Sequence, residues 1–343
     1  MVANRETEYK KNLKFMRKTV TLDNHTSVEG YNFEDDFNFD DFLNSFATTG
    51  IQATNLYNGI EIVRMMIKDE AKIFLSITSN MTSSGLRDII TFLVKHKYVH
   101  AIVTSAGGVE EDVIKTMRPF VIGNFDIPGR VLFESGVGRI GNIFAPFDRY
   151  LYFEKFMNPF FDYIYEIQKK RGTPFTPSEF IKELGFRVNH EESYLFWAAK
   201  NDIPIFCPGF TDGSIGDLFV FQRQKRSDFY IDVVGDHKKI VDMTLNMDKT
   251  GAIILGGGIS KHYVLNANIF REGLDYAVYI TTAHEFDASD SGGNQEEAKT
   301  WAKIKINAPT VKIKTEASIA FPLLVAGSFA KDYHNKKEAK KSY

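Results

Sequence analysis

Cysteine is nearly absent from this sequence of 343 residues, in which Cys207 is the single one. One cysteine excludes an intramolecular disulfide, and such scarcity is typical of a protein kept in a reducing compartment. Cys207 ends the apolar run PIF, so we interpret it as a small core residue and not as a catalytic thiol.

Long apolar stretches are also absent. No run of about 18 apolar residues occurs, and the N-terminus lacks the apolar region of a secretory signal. The net charge is only −2, which indicates neither a nucleic-acid partner nor a membrane surface. We therefore expect a cytoplasmic protein that binds charged ligands through local clusters of residues.

Metal-binding spacing is missing as well. The eight histidines are scattered, no HExxH motif occurs, and His96 and His100 straddle a predicted helix end. We expect no metal site.

The sequence does contain a repeated order of apolar strand, small-residue turn and helix. A strand at 72–77 is followed by the turn TSNMTSSG and a helical run, and the same order starts again at residue 101. Apolar runs at 202–206, 251–255 and 277–280 indicate further strands. This alternation predicts an α/β protein with a doubly wound, mostly parallel sheet, helices on both faces and ligand loops at the carboxyl ends of the strands.

Composition changes at both ends of the chain. Residues 1–28 are polar and basic with apolar residues at helical spacing, which predicts an N-terminal helical arm. Residues 29–330 carry the α/β pattern and form one predicted domain. Residues 331–343 make a basic C-terminal tail that we expect to be disordered.

Residues 284–305 hold several carboxylates around a Gly-Gly break. Asp287 and Asp290 lie in a polar turn, and Glu297 and Trp301 are four residues apart on one face of a short predicted helix. Amines need carboxylates for charge and an aromatic face for a cation–π contact, so these residues suit a polycationic ligand. A solvated acidic turn with no ligand is the alternative.

Two lysines follow directly in the alternating sequence KIKI. If this stretch is a strand, Lys303 and Lys305 share one of its sides. The pattern does not rank one lysine above the other.

More polar residues of the same kind occur elsewhere. Asp212 and Asp217 follow an apolar strand, and His262 and Asn266 are four residues apart on a predicted helix. From the residues alone, His262 is better explained as a structural helix histidine than as a functional one.

Glycine-rich turns follow three of the predicted strands. Gly256, Gly257 and Gly258 come after the strand at 251–255, but the GxGxxG fingerprint would need glycine in place of Lys261. Such a turn lets the backbone approach a phosphate closely at a helix N-terminus. A tight turn without a ligand explains each single turn equally well.

Several of these segments together resemble one family. EFDASDSGG with TWAKI, and TSNMTSSG, TSAGGVEED, FTDGSIGD and GGGISKHYVLNAN, resemble deoxyhypusine synthase in order from about Tyr31 to about Phe329. The resemblance implies a Rossmann-like, NAD-binding fold. This sequence departs from the family at two positions: it has glutamate at 316, where the family commonly has aspartate, and serine at 105, where threonine is usual. Carried over position by position, the implied NAD contacts are Ser79, Asn80, Ser83, Ser105, Gly107, Glu111, Asp212, Gly256, Gly257, Gly258, Thr282, Ala283, Asp287, Ser291, Glu316 and Ala317.

The resemblance also implies a reaction. NAD takes a hydride from the carbon beside the secondary amine of spermidine, an enzyme lysine captures the aminobutyl group as an imine, and diaminopropane leaves. The group then passes to a lysine of the translation initiation factor 5A precursor and is reduced to deoxyhypusine. Lys303 matches the covalent lysine, Lys305 matches nothing catalytic, and His262 is the proton-transfer candidate because imidazole ordinarily titrates at about pH 6.5. The implied spermidine contacts are Asp217, Asn266, Asp290, Glu297 and Trp301.

The family pattern further implies a homotetramer with sites at subunit interfaces. Three alternatives remain at this stage: aminobutyl transfer to a small amine, as in homospermidine synthesis; a catalytically silent paralogue that activates a partner in a hetero-oligomer; and a generic NAD dehydrogenase. The last leaves the acidic cluster and Lys303 unexplained.

Overall fold

The structure is a computed structural model that describes residues 22–341. The predicted helical arm, residues 1–28, lies mostly outside this range. Its described part, 22–28, is exposed chain without a helix.

Strands and helices alternate along most of the described chain. The strands are β1 (Lys72–Ile77), β2 (Ala101–Val103), β3 (Val121–Ile122), β4 (Val137–Ile140), β5 (Ile143–Pro146), β6 (Ile205–Phe206), β7 (Thr250–Leu255), β8 (Tyr276–Ile280) and β9 (Thr310–Ile313). The α-helices are α1 (Phe39–Thr49), α2 (Ile51–Lys68), α3 (Ser79–Ser83), α4 (Leu86–Lys95), α5 (Ala106–Met117), α6 (Gly129–Glu134), α7 (Asp148–Arg171), α8 (Pro177–Val188), α9 (Tyr194–Asn201), α10 (Ser214–Lys225), α11 (Val233–Leu245), α12 (Gly258–Ile269), α13 (Ala288–Ser291), α14 (Gln295–Thr300), α15 (Ala317–Val325) and α16 (Lys331–Lys341).

Six strands form the main sheet in the order β6-β2-β1-β7-β8-β9, and every neighbouring pair is parallel. The chain runs outward from β1 through β2 to β6, then crosses to the other side of β1 and continues through β7, β8 and β9. The order therefore reverses between β1 and β7, and doubly wound sheets bind ligands at the carboxyl ends of the strands beside such a reversal. The predicted α/β fold is confirmed.

The sheet lies between two layers of helices. Successive side chains of a strand point to opposite faces, so Leu75 of β1 joins the core that includes Val63 of α2, while Phe74 joins the core that includes Val264 of α12. All four side chains are fully buried. Burial on both faces explains why the central strands are continuous apolar runs in the sequence.

A second, smaller sheet was not predicted. Strands β3, β5 and β4 pair antiparallel within residues 121–146. They are only two to four residues long and mostly part-exposed, so they carry neither the apolar run nor the alternation that reveals a strand.

The C-terminal tail is not disordered as far as Lys341, and our expectation for it is wrong in that range. Residues 331–341 form α16, which continues directly from α15 through one π-helical turn at Ala326–Ala330. Asp332 accepts a hydrogen bond of 2.7 Å from the hydroxyl of Tyr98, and the ring of Tyr333 lies 4.5 Å from that of His96. These contacts hold the first turns of the basic helix against the domain.

Candidate active site

Lys303 is nearly buried, with 7% of its surface exposed. Its Nζ lies 3.2 Å from Nε2 of His262. Burial is the largest influence on the Lys303 amine and lowers its pKa, while the carboxylates of Asp290 and Glu297 oppose that shift. Because burial prevails, the amine is more readily neutral than an ordinary lysine, as a nucleophile must be.

His262 is held between three polar groups. Its Nδ1 lies 3.0 Å from Nδ2 of Asn266, one turn further along α12. Its Nε2 faces both Lys303 and the Asp290 carboxylate, which is 3.5 Å away. The Asn266 amide therefore holds the ring so that its other nitrogen points toward Lys303 and Asp290.

The acidic side of the site is built by α14 and the turn before it. Asn294 caps the helix by accepting a hydrogen bond of 3.1 Å from the backbone N–H of Glu297, and Oε1 of Glu297 accepts one of 2.6 Å from Ser289. Trp301 follows the helix directly and is 63% exposed. Its ring lies 5.8 Å from Nζ of Lys303, so carboxylates and an open aromatic face stand beside the lysine, as an amine ligand requires.

Two lysines that we did not predict as site residues fix the Gly-Gly break. Nζ of Lys261, on α12, donates 2.8 Å to the carbonyl of Gly293, and Nζ of Lys312, on β9, donates 2.7 Å to that of Gly292. Burial lowers the pKa of Lys261 to about 8, and the nearby Lys312 ammonium adds to the shift. Lys261 is the residue that stands where GxGxxG needs a glycine. That departure was the one feature of the sequence that could have marked Lys261 as a site residue.

Lys303 and Lys305 do not share a face, because KIKI is not a strand. Only Ile304 makes a bridge, to Leu274. Lys303 turns toward His262, whereas Nζ of Lys305 lies 2.6 Å from Oδ1 of Asp275. The two lysines that the pattern could not rank therefore have different surroundings.

The turns after β1 and β2 meet at the carboxyl edge of the sheet. A Cβ added to Gly107 would lie 2.8 Å from Cβ of Ser79, and the hydroxyl of Ser83 donates to Glu111. Burial raises the pKa of Glu111 to about 7, with a contribution from Glu110. Ser79, Ser83, Gly107 and Glu111 thus form one group. Asn80 accepts a hydrogen bond from Thr78, and Ser105 stands at the N-cap position of α5, where its side chain makes no capping hydrogen bond.

The glycine turn after β7 lies against the acidic turn. Gly256 and Gly258 have φ of +85° and +67°, values that favour glycine. A Cβ on Gly257 would lie 2.7 Å from the carbonyl oxygen of Asp290 and 2.8 Å from Cα of Ser291. Glycine at 257 is therefore required for these two segments to meet.

The remaining predicted residues lie at the ends of other strands. Thr282, Ala283 and Asp287 follow β8, and Oδ2 of Asp287 accepts 2.9 Å from the backbone N–H of His284. Glu316 caps α15 and accepts 2.8 Å from the N–H of Ser318, next to the buried Ala317.

Asp212 and Asp217 are exposed residues that follow β6 in the chain. In the sheet, β6 is the edge strand on the opposite side of β1 from β7 and β8. Both carboxylates add to the raised pKa of Glu110, after the larger effect of burial. Within residues 22–341, the hydrogen bonds and ion pairs join Lys303 to His262 and His262 to Asp290, and do not reach Asp217. One chain therefore brings together Lys303, His262, Asn266, Asp290, Glu297 and Trp301, but not Asp217.

Cys207 is 1% exposed, which confirms a core position. Burial raises the pKa of its thiol. Residues 22–341 contain no group of three or more His, Cys, Asp or Glu side chains arranged to hold a metal ion. No helix in that same part of the chain is both long and apolar enough to cross a membrane.

Comparison with known proteins gives one consistent result. The sequence profile of the deoxyhypusine synthase family matches residues 41–328. A deoxyhypusine synthase from Nicotiana tabacum is 46% identical over 340 residues, covering 89% of this chain and 90% of that protein. The Arabidopsis thaliana deoxyhypusine synthase is 45% identical over 330 residues, covering 88% and 90%. The crystal structure of an Entamoeba histolytica protein assigned as a deoxyhypusine synthase is 33% identical, with a TM-score of 0.60 over 88% of this chain and 97% of that chain.

Proposed function

The chain belongs to the deoxyhypusine synthase family, and on that premise we propose that it transfers the 4-aminobutyl group of spermidine to a lysine of the translation initiation factor 5A precursor. The observation that carries the proposal is the buried Lys303 amine beside His262, inside a group of carboxylates. A nearly buried lysine with a lowered pKa is suited to form an imine.

Lys303 is the proposed nucleophile. When the substrate is present as an imine, neutral Nζ attacks its carbon, a C–N bond to Lys303 forms, and the bond to the departing nitrogen breaks. Diaminopropane leaves as the amine and Lys303 retains the aminobutyl group as a protonated imine. The precursor's lysine then attacks the same carbon and releases Lys303.

His262 is the proposed proton carrier. The attack leaves one proton too many on Nζ, and the departing nitrogen needs one. Nε2 of His262, 3.2 Å from Nζ, is placed to move that proton from one nitrogen to the other. Asn266, bound to the other ring nitrogen, orients the imidazole.

The remaining cluster is the proposed spermidine site. Asp290 and Glu297 would pair with the amines of the substrate, and the exposed ring of Trp301 would lie along its carbon chain. Bound spermidine would add positive charge beside Lys303, which would lower the amine's pKa further and offset the two carboxylates.

We assign NAD to the loops at the carboxyl edge of the sheet, beside the reversal between β1 and β7. When bound there, NAD would accept a hydride from the carbon beside the secondary amine of spermidine and return it at the end. Two features support this assignment: the glycine turn approaches the acidic turn so closely that a Cβ on Gly257 would collide with it, and Ser79, Gly107 and Glu111 form one group on the neighbouring loops. The residues that would hold it are Ser79, Asn80, Ser83, Ser105, Gly107, Glu111, Asp212, Gly256, Gly257, Gly258, Thr282, Ala283, Asp287, Ser291, Glu316 and Ala317.

Asp217 supports a site shared between subunits of a homotetramer. It would pair with a spermidine amine, yet it lies outside the Lys303 group of its own chain, and Trp301 is open on one side. A neighbouring subunit would bring its Asp217 to this open side.

Product formation tests the proposed function. The protein is incubated with spermidine, NAD and the factor 5A precursor, and the precursor's mass and free diaminopropane are followed together. We expect one aminobutyl group on a single lysine and one diaminopropane for each group transferred. Homospermidine made from added putrescine, with an unmodified precursor, would instead support transfer to a small amine.

A further inference from the structure

Lys305 forms a salt bridge two residues from the proposed nucleophile. Its Nζ lies 2.6 Å from Asp275, and its side chain is 40% exposed whereas that of Asp275 is 17% exposed. The family resemblance gives Lys305 no role.

The backbone around Lys303 is held from two sides. On one side, the N–H of Lys303 donates 3.0 Å to the carbonyl of Ala298 in α14. The carbonyl of Lys303 accepts 3.1 Å from the N–H of Leu274, and the N–H of Lys305 donates 3.0 Å to the carbonyl of Leu274. Gly273 lets the two segments approach, because a Cβ there would lie 2.7 Å from both the carbonyl carbon of Ile304 and the backbone nitrogen of Lys305. On this second side, the segment depends on residues 273–275 for its position.

Asp275 is a firm anchor for the salt bridge. Its Oδ2 accepts 2.8 Å from the N–H of Thr250 at the start of β7 and 2.9 Å from Nη1 of Arg271. Burial alone would raise the pKa of Asp275, but the hydrogen bonds from Lys305, Thr250 and Arg271 lower it overall. Asp275 therefore ties Lys305 to the sheet.

We propose that Lys305 is a positioning residue for Lys303: its salt bridge to Asp275 fixes the turn from which the Lys303 side chain reaches His262. This inference rests on the proposed function of Lys303. A flexible lysine that must hold its nitrogen beside His262 needs a fixed Cα, and a displacement of about 1 Å at a reacting group can cost up to about a hundredfold in rate.

The first test compares three variants by the rate at which Lys303 takes up an aminobutyl group from spermidine, trapped with borohydride. Lys305→Met keeps the unbranched apolar stem and removes the charged amine, Lys305→Arg keeps the charge, and Lys238→Met removes an exposed ion pair with Asp242 on α11. We expect Lys305→Met to be about tenfold slower, Lys305→Arg to recover most of the rate, and Lys238→Met to match wild type. Equal rates for Lys305→Met and wild type would overturn the proposal.

The second test needs neither NAD nor spermidine. The pH midpoint of Lys303 acetylation by acetic anhydride is read from peptide masses, on samples that thermal unfolding shows to be folded. Loosening the turn hydrates the amine, so the midpoint should move upward in Lys305→Met and stay in place in Lys305→Arg; an unchanged midpoint in Lys305→Met would contradict a positioning role. A wild-type protein that forms no adduct would refute the proposed function, whereas the acetylation comparison still decides the role of Lys305.

Discussion

Nζ of Lys303 and Nε2 of His262 lie 3.2 Å apart, close enough to share a proton. Burial lowers the pKa of the Lys303 amine and so favours its neutral, nucleophilic form. The contact thus places the proposed nucleophile within proton-transfer distance of the proposed proton carrier.

His262→Ala should slow aminobutyl uptake by Lys303 by about 10² to 10⁴, the usual contribution of general acid–base catalysis. NAD affinity should not change, because the ring faces Lys303 and Asp290. The rate of the borohydride-trapped adduct and the NAD dissociation constant are measured together, with the exposed His190→Ala as the control. A loss of NAD binding in His262→Ala would show that the histidine acts elsewhere.

Gly257→Ala should weaken NAD binding by at least about tenfold, or about 1.4 kcal/mol. Its Cβ would collide with the Asp290 carbonyl and with Ser291, pushing the glycine turn away from the acidic turn. Calorimetric titration with NAD measures the effect. Gly129→Ala, where an added Cβ meets nothing within 4 Å, should bind like wild type, and equal affinity in both variants would remove the glycine turn from the cofactor site.

Glu111 should make the free energy of unfolding depend on pH. Its pKa is about 7 in the folded chain against an ordinary 4.5, so between these values the folded state binds more protons than the unfolded state. The stability that the protonated Glu111 contributes to the folded state is complete below about pH 4.5. It falls as pH rises, is lost above about pH 7, and amounts to up to about 3 kcal/mol.

Glu111→Gln should remove this pH dependence, because an amide stays neutral. Urea unfolding without NAD, at one protein concentration and at several pH values from 5 to 8, measures it. The control Glu166→Gln, at an exposed position, should leave the pH dependence of the free energy of unfolding as it is in wild type. Parallel pH curves for wild type and Glu111→Gln would show that Glu111 is ionised throughout this range.

Mixed oligomers should recover activity if Asp217 completes the site of a neighbouring subunit. Asp217→Asn and Lys303→Ala should each be inactive alone, but a co-refolded mixture would contain interfaces whose Lys303 and Asp217 are both intact. Turnover of the mixture is compared with that of each variant refolded by itself. A mixture as inactive as its components would place Asp217 and Lys303 in the same chain's site, or Asp217 outside any site.

The main sheet was predictable because its central strands are buried on both faces and so appear as apolar runs. The sheet of β3, β5 and β4 was not, since strands of two to four residues leave no periodic signal. KIKI shows the opposite problem: alternation suggested a strand, but only Ile304 is buried against the core cluster, and the two lysines turn to different partners.

The chemical types in the site were predictable, but its geometry was not. Carboxylates, a tryptophan and a lysine in one segment suited an amine ligand before any distance was known. Lys261 and Lys312 were missed because a buried lysine that binds a distant carbonyl has no local pattern. Their partners, Gly293 and Gly292, are separated from them by 32 and 20 residues along the chain and come near only in the fold.

The central claim is that Lys303 carries the aminobutyl group covalently. The direct measurement is the intact and peptide mass of the protein after incubation with spermidine and NAD, without an acceptor, followed by borohydride. We expect one aminobutyl group, located on Lys303, absent in Lys303→Ala and retained in Lys299→Ala, whose amine pairs with Glu296 on the adjacent helix α14. An adduct on another lysine, or none in a protein that still binds NAD, would contradict the account.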